Sequence, residues 1–272
     1  LLFSVALVTY GLTVEPTASY WDAGEYISTS AKLQVGHPPG APFFQMMGAV
    51  FSMFASSNES IAIAVNFLSV VSSAFVILFL FWSTTLFLKK ISKKNNFTND
   101  TNILLSSSIG ALAFTFSDSF WFNAVETEVY ALAMLFLSAT FWCGLRWEKD
   151  FNNKRGDKWL LLICFLIGLS FGVHFMAILT IPAIGMIYFF KKYKKITIKN
   201  FVLANIISVS ILLFIFKLLL PSTLSLFGQL EVFFVNSIGL PFNSGTIIAA
   251  FLIVFFFYKS LSYTKLKGMV QA

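Results

Sequence analysis

Long apolar runs separated by short polar stretches make up most of this chain. A spanning helix must satisfy its backbone internally and cross about 30 Å of hydrocarbon, so the units to find are runs of roughly 17 to 25 apolar residues. Leu1 to Val14 reads as the end of a first span. Further runs cover about Ile61 to Leu88, Ile103 to Phe116, Val129 to Leu145, Trp159 to Val173, Phe175 to Phe190, Phe201 to Leu220 and Thr246 to Tyr258. They predict an all-α polytopic membrane protein with about eight spans. Phe43 to Phe54 is apolar but short.

Composition agrees. Hydrophobic residues are 57% of the 272, and 34 of them are Phe, which excludes an ordinary soluble domain. The net charge of +7 comes from short basic clusters between apolar runs, which points to anionic headgroups and away from nucleic acid. Cys143 and Cys164 sit inside apolar runs, so neither a disulfide framework nor a thiolate metal site is indicated.

The clusters also orient the chain, because short cytoplasmic loops collect Lys and Arg. Lys89, Lys90, Lys93 and Lys94 form one; Arg146, Lys149, Lys154, Arg155 and Lys158 a second; Lys191, Lys192, Lys194, Lys195 and Lys199 a third; Lys259, Lys265 and Lys267 a fourth. Together they hold 17 of the 19 basic residues. An even number of crossings separates each from the next only if Phe43 to Phe54 is a surface-lying or re-entrant helix. On this topology the cytoplasmic side reads as charged linkers and no more. The glycosylation patterns at Asn96 and Asn99 then face the cytoplasm and carry no meaning. Asp22, Glu25, Lys32, His37, Glu59, Asp118, Glu126, Glu128, His174 and Glu231 all fall on or near the opposite face.

Residues 15–60 form the first non-cytoplasmic loop. If Tyr20 to Val35 is helical, Asp22, Glu25, Thr29 and Lys32 make one polar stripe, with Tyr26, Ile27 and Leu33 away from it. The stripe either turns into a cavity or is an interfacial helix with solvated acids and Asp22 at its N-terminus. His37-Pro38-Pro39-Gly40 then ends the helix and starts a new direction. His37 and Lys32 are the cationic donors of this loop. Lys217, near the outer end of its span, reads first as a snorkelling lysine.

A second polar group lies at the outer mouth of the Val129 span. Asn123 reads as a helix N-cap with Glu126 at the third helical position, completing a capping box. Glu128 and Tyr130, beside Trp121 and Phe122, suit the binding of sugar hydroxyls; Trp121 reads equally as an interfacial belt residue. His174 is costly inside lipid and is expected to face a cavity. No compact metal-ligand spacing appears, so no cofactor is expected, although these residue types admit a divalent cation.

A carboxylate pair followed by His-Pro-Pro in the first outer loop resembles the signature of GT-C membrane glycosyltransferases. More closely, EPTASYWDAGEYISTSAKLQVGHPPGAPFF, SDSFWFNAVETEVYAL and GLSFGVHF resemble a bacterial and animal membrane family once known as a domain of unknown function. That family is grouped with the GT-C O-mannosyltransferases, and its animal member mannosylates plexin-type receptor domains. The resemblance implies a GT-C-like transmembrane domain over 1–272, clipped at the N-terminus and lacking the family's C-terminal part. It makes Asp22 the leading general base and Glu25 the second acid. Lys32, His37, Trp121, Glu126, Glu128, Tyr130 and His174 are the substrate-binding candidates. The implied reaction moves mannose from a polyprenyl-phosphate carrier to a protein Ser or Thr hydroxyl, by direct and therefore inverting attack. The implied place is a bacterial inner membrane, with the site facing the periplasm. A transporter or flippase of a lipid-linked sugar is the alternative, which would place ionisable groups near the bilayer midplane. A third reading is a non-catalytic membrane subunit.

Overall fold

The computed structural model describes residues 1–38, 40–95, 99–153 and 156–266, with backbone only for 93–95 and 264–266. Pro39, the Asn96 pattern, Lys154, Arg155 and Lys267 lie outside the described residues, as do the side chains of Lys93, Lys94 and Lys265. Among the described residues there is no strand. Five segments are long and apolar enough to cross a membrane: Asn58–Ser92, Val129–Asp150, Phe175–Lys192, Ile198–Ser237 and Ser244–Tyr263. A sixth forms if Asp100–Thr115 and Asp118–Ala124, bent by 69°, count as one broken span. Leu2–Leu12 and Lys158–Ser170 are apolar but shorter, so each of the eight predicted runs meets one of these segments.

The chain divides into two compact units, Leu1–Ser208 and Val209–Ala272. In the first, the central element is α4 (Ile61–Asn95), on which α1 (Leu2–Leu12), α3 (Pro42–Ser52), α5 (Asp100–Thr115) and α7 (Val129–Asp150) pack. Buried Ser69, Ser72, Ser73 and Ala74 in the middle of α4 let neighbouring backbones approach closely, as small residues do between spanning helices. Tyr10 of α1 is fully buried and donates to the Thr115 carbonyl at 2.9 Å, satisfying one of the acceptors left open where α5 ends. The chain then bends into α6 (Asp118–Ala124), where Trp121 Nε1 donates to Thr13 Oγ1 at 2.9 Å.

The end of this unit that carries the lysines is more organised than linkers would be. Glu148 of α7 pairs with Lys90 of α4 and, at 3.8 Å, with Lys191 of α9 (Thr180–Lys192), so cations of the first and third basic clusters meet at one acid. The Arg146 guanidinium lies over the Trp142 and Trp159 rings, at 5.6 and 5.2 Å, and ties α7 to α8 (Lys158–Ser170). The solvated-linker expectation is corrected here: an acid among several cations is worth holding, and aromatic faces supply a second set of partners.

The second unit contains the end of α10 (Ile198–Phe214), then α11 (Leu220–Val232) and α12 (Ser244–Leu266). Helix persists over Ile198–Ser237, well past the expected end at Leu220. Pro221 falls in the first turn of α11, directly after a π-helical turn at Ile215–Leu219. The wider turn accommodates a proline ring that would clash with the carbonyl four residues earlier, so the helix continues. Glu231 accepts from the Asn243 and Thr246 backbone N–H groups at 2.6 and 2.8 Å, closing the start of α12. That acid therefore serves its own hairpin.

Candidate active site

The first loop folds as two helices, and the polar stripe is shorter than Tyr20 to Val35. α2 is Ala23–Lys32, ended by Leu33 in a left-handed conformation. α3 begins at Pro42, a residue suited to the first helical position. The Phe43 and Phe44 N–H groups both donate to the Gly172 carbonyl, at 2.8 and 3.1 Å. The first loop is thus pinned to the turn before His174. Gln45 of α3 reaches Thr29 at 3.1 Å and, with its amide turned, also meets the Gly36 N–H and the Gln34 carbonyl. Thr29 is buried in that contact and so leaves the stripe.

Asp22 is the N-cap of α2, yet its side chain makes no capping hydrogen bond. Its carboxylate is 54% exposed and lies 3.8 Å from His37 Nε2. Glu25 is engaged more tightly. It accepts from the His37 backbone N–H at 2.6 Å and faces His37 Nδ1 at 3.0 Å. The backbone bond first, and then the ring, hold the Glu25 carboxyl below its ordinary range; Glu25 in turn raises His37. The His37 ring thus lies between two acids, which favour its charged form. One ligand atom from each of Asp22, Glu25 and His37 lies within 4.8 Å of the others, a spacing that also suits a divalent cation, although the His37–Glu25 pair already satisfies the same atoms.

Glu128 comes to this cluster from the start of α7, of which it is the N-cap. It is only 6% exposed. Burial first, and the Asp22 carboxylate second, push Glu128 up to about 7. Tyr26 is the residue the sequence placed on the wrong side. Burial and then the charge of Glu128 push its phenol up to about 12, with Asp22, Glu25 and Tyr130 also within electrostatic reach. The available signal was the four-residue spacing from Asp22, which sets both on one helical face. Tyr130 lies against the His174 ring, centroids 5.6 Å apart. His174 Nδ1 is buried without a partner, and burial lowers its pKa. Tyr130, with Phe114, Phe120, Met134 and Met176, lines an adjoining cleft of about 430 Å³.

Three candidates lie apart. Lys32 is exposed at the far end of α2 and makes no ion pair among the described residues. Trp121 packs on Tyr10 and Phe116, at ring distances of 6.3 and 5.8 Å. Glu126 is buried, accepts from Ser19 at 2.6 Å and is raised by that burial. The N-cap expected at Asn123 is corrected: Asn123 lies inside α6 and donates to the Ser119 carbonyl, because α6 ends at Ala124 and α7 starts only at Val129.

No solved structure matches this chain. A protein O-mannosyl-transferase tmem260 from Dictyostelium discoideum is 30% identical over 158 residues, covering 57% of this chain and 18% of that protein. The protein O-mannosyl-transferase TMEM260 of Mus musculus is 26% identical over 170 residues, covering 62% of this chain and 22% of its own. The chain thus spans about a fifth of the length of these curated relatives. The family model for the protein O-mannosyl-transferase TMEM260 N-terminal domain matches residues 22–197, from the first carboxylate of the cluster to beyond His174, and the chain belongs to that family.

Proposed function

We propose that this chain is the membrane part of a glycosyltransferase that moves a sugar, mannose in the first instance, from a polyprenyl-phosphate carrier to a Ser or Thr hydroxyl of a protein. Family membership and the names of the relatives support transfer to a protein. The observation that carries the chemistry is the convergence of Asp22, Glu25, His37, Tyr26 and Glu128, with Asp22 free of any capping bond.

In this reading the acceptor oxygen attacks the anomeric carbon as Asp22 takes its proton, a general-base role that needs hydrogen-bond reach. The bond from that carbon to the phosphate oxygen breaks, and polyprenyl phosphate leaves with the electron pair. His37, whose charged form Glu25 favours, offers a donor to the leaving phosphate. Direct displacement inverts the anomeric centre. The apolar cleft beside Tyr130 suits the first isoprene units of the carrier. The gathering of Lys and Arg at the opposite end supports a non-cytoplasmic side for the carboxylates, the periplasm in a bacterial cell.

The deciding experiment supplies full-length protein with radiolabelled polyprenyl-phosphate mannose and candidate acceptors. Transfer is expected in wild type and is expected to fail in Asp22→Asn. Unchanged transfer in both Asp22→Asn and Glu25→Gln overturns the site. Passage of lipid-linked sugar across vesicles without turnover of the donor establishes a flippase instead.

A further inference from the structure

Asn66 puts an amide in a membrane-spanning helix, where an unpaired polar group is costly, and it is only 1% exposed. Its pairing is complete. Nδ2 donates to the Glu15 carbonyl at 2.6 Å and to the Thr17 carbonyl at 3.0 Å, while Oδ1 accepts from the Thr127 hydroxyl. None of these partners belongs to α4: two lie in the first loop and the third in the segment before α7.

The same two stretches are joined at two further points. The Glu15 N–H donates to the Val125 carbonyl at 2.9 Å, and the Ser19 hydroxyl donates to Glu126 at 2.6 Å. Glu15, Thr17 and Ser19, every second residue of the loop, are thus each tied down. Tyr20 and Trp21, which follow, are 80% and 88% exposed, so neither side chain packs the turn in place. Trp21 has φ of +59°, a left-handed backbone that bulky L residues rarely adopt and that persists only where the surroundings over-determine it. Asp22 comes next, its carbonyl taking the Tyr26 N–H at 2.9 Å as α2 begins. The strained residue is bracketed by the tied stretch on one side and the start of α2 on the other.

We propose that Asn66 is a positioning residue for Asp22: from the spanning helix α4 it locks residues 15–19 onto the segment before α7 and so fixes the turn that presents the Asp22 carboxylate. The consequence for kcat rests on the transfer reaction proposed above; the hold on the turn does not. Asn66→Leu removes all three bonds at similar volume and leaves the Glu15 and Thr17 carbonyls without this donor. Ser19→Ala removes a neighbouring tie and leaves α4 untouched, so it reads the same turn even where an Asn66 variant folds poorly.

Hydrogen exchange on full-length protein reads the hold without any activity. Exchange over residues 15–23 is expected to run about tenfold faster in Asn66→Leu and about threefold faster in Ser19→Ala, with α4 and α7 protected as in wild type. In the transferase assay the two variants are expected to lower kcat by about tenfold and about threefold with the donor KM unchanged, and to add no further loss in an Asp22→Asn background. Thr127→Ser, which keeps the hydroxyl that Asn66 accepts from, is expected to match wild type in both measurements. Unchanged exchange in both Asn66→Leu and Ser19→Ala overturns the proposal. So does faster exchange with an unchanged kcat, which would leave the placing of Asp22 to α2 alone. If wild type transfers no sugar from any polyprenyl-phosphate donor, the proposed function falls, while the exchange result still decides the hold on the turn.

Discussion

The two ends of the first unit are built from the same kind of interaction in opposite proportions. At one end an acid, Glu148, sits between Lys90 and Lys191, with Asp100 on Lys89 beside it. At the other a single histidine, His37, sits between Asp22 and Glu25, with the buried acid Glu128 beyond them. Glu148 is satisfied on two sides and the surplus is lysine, which anionic headgroups can take up. The lone histidine is outnumbered, and the surplus is carboxylate, which is what proton abstraction requires. The difference teaches that an ion pair says little by itself; the uncompensated group beside it marks where chemistry can occur.

The sharpest break of that contrast is a pair of isosteric changes. Asp22→Asn is expected to reduce transfer by roughly 10²- to 10⁴-fold, the usual worth of a general base, whereas Glu148→Gln is expected to leave kcat nearly unchanged. Initial rates of the two variants side by side decide it.

A glycine substitution comes next. A Cβ on Gly36 would stand 2.7 Å from Gln45 Nε2 and 3.1 Å from Glu25 Oε1, pushing on the acid that holds His37. Gly36→Ala is expected to lower kcat about tenfold, with a smaller effect on melting temperature.

Acidity separates the ends further. Glu25 is lowered and His37 raised, so their pair contributes stability between the two folded-state values. It is lost as pH falls through the lowered Glu25 or rises through the raised His37. Glu128 runs the other way, facing Asp22, Glu126, Tyr26 and His37. Raised from 4.5 to about 7, it contributes stability below the lower value that is lost as pH rises through the higher. Melting curves between pH 4 and 8 are expected to slope less in Glu128→Gln than in wild type.

The smallest effect belongs to Lys191→Ala. Its pair with Glu148 is long, at 3.8 Å, and partly exposed, so a loss of about 0.5 kcal/mol or less is expected in denaturant titration.

Much of this could be read in the chain because lipid imposes a single rule: the backbone must close on itself, so apolar length counts spans. The same rule hid where α10 ends, since nothing apolar marks a π turn and Pro221 looks like a stop. At the site, Asp22, Glu25 and His37 were legible because they are neighbours in sequence. Tyr26 was not, because in a ten-residue helix one stripe can be drawn on either side of the same acid. Glu126 and Glu128 looked alike on paper, yet one meets Ser19 and the other feels the Asp22 charge. That distinction depends on Asn66, a residue 60 positions away whose amide braces both strands of the contact.

The two hydrogen bonds on the Gly172 carbonyl also set an order of assembly. The N–H groups of Phe43 and Phe44 are made early, but their acceptor emerges about 130 residues later, after α4, α5, α7 and α8 have been made. Until then α3 has an open N-terminus, and nothing from the later turn holds the first loop. A nascent chain of this protein therefore carries the loop with Asp22, Glu25 and His37 in an unfinished state, and the loop closes only when the turn carrying His174 arrives.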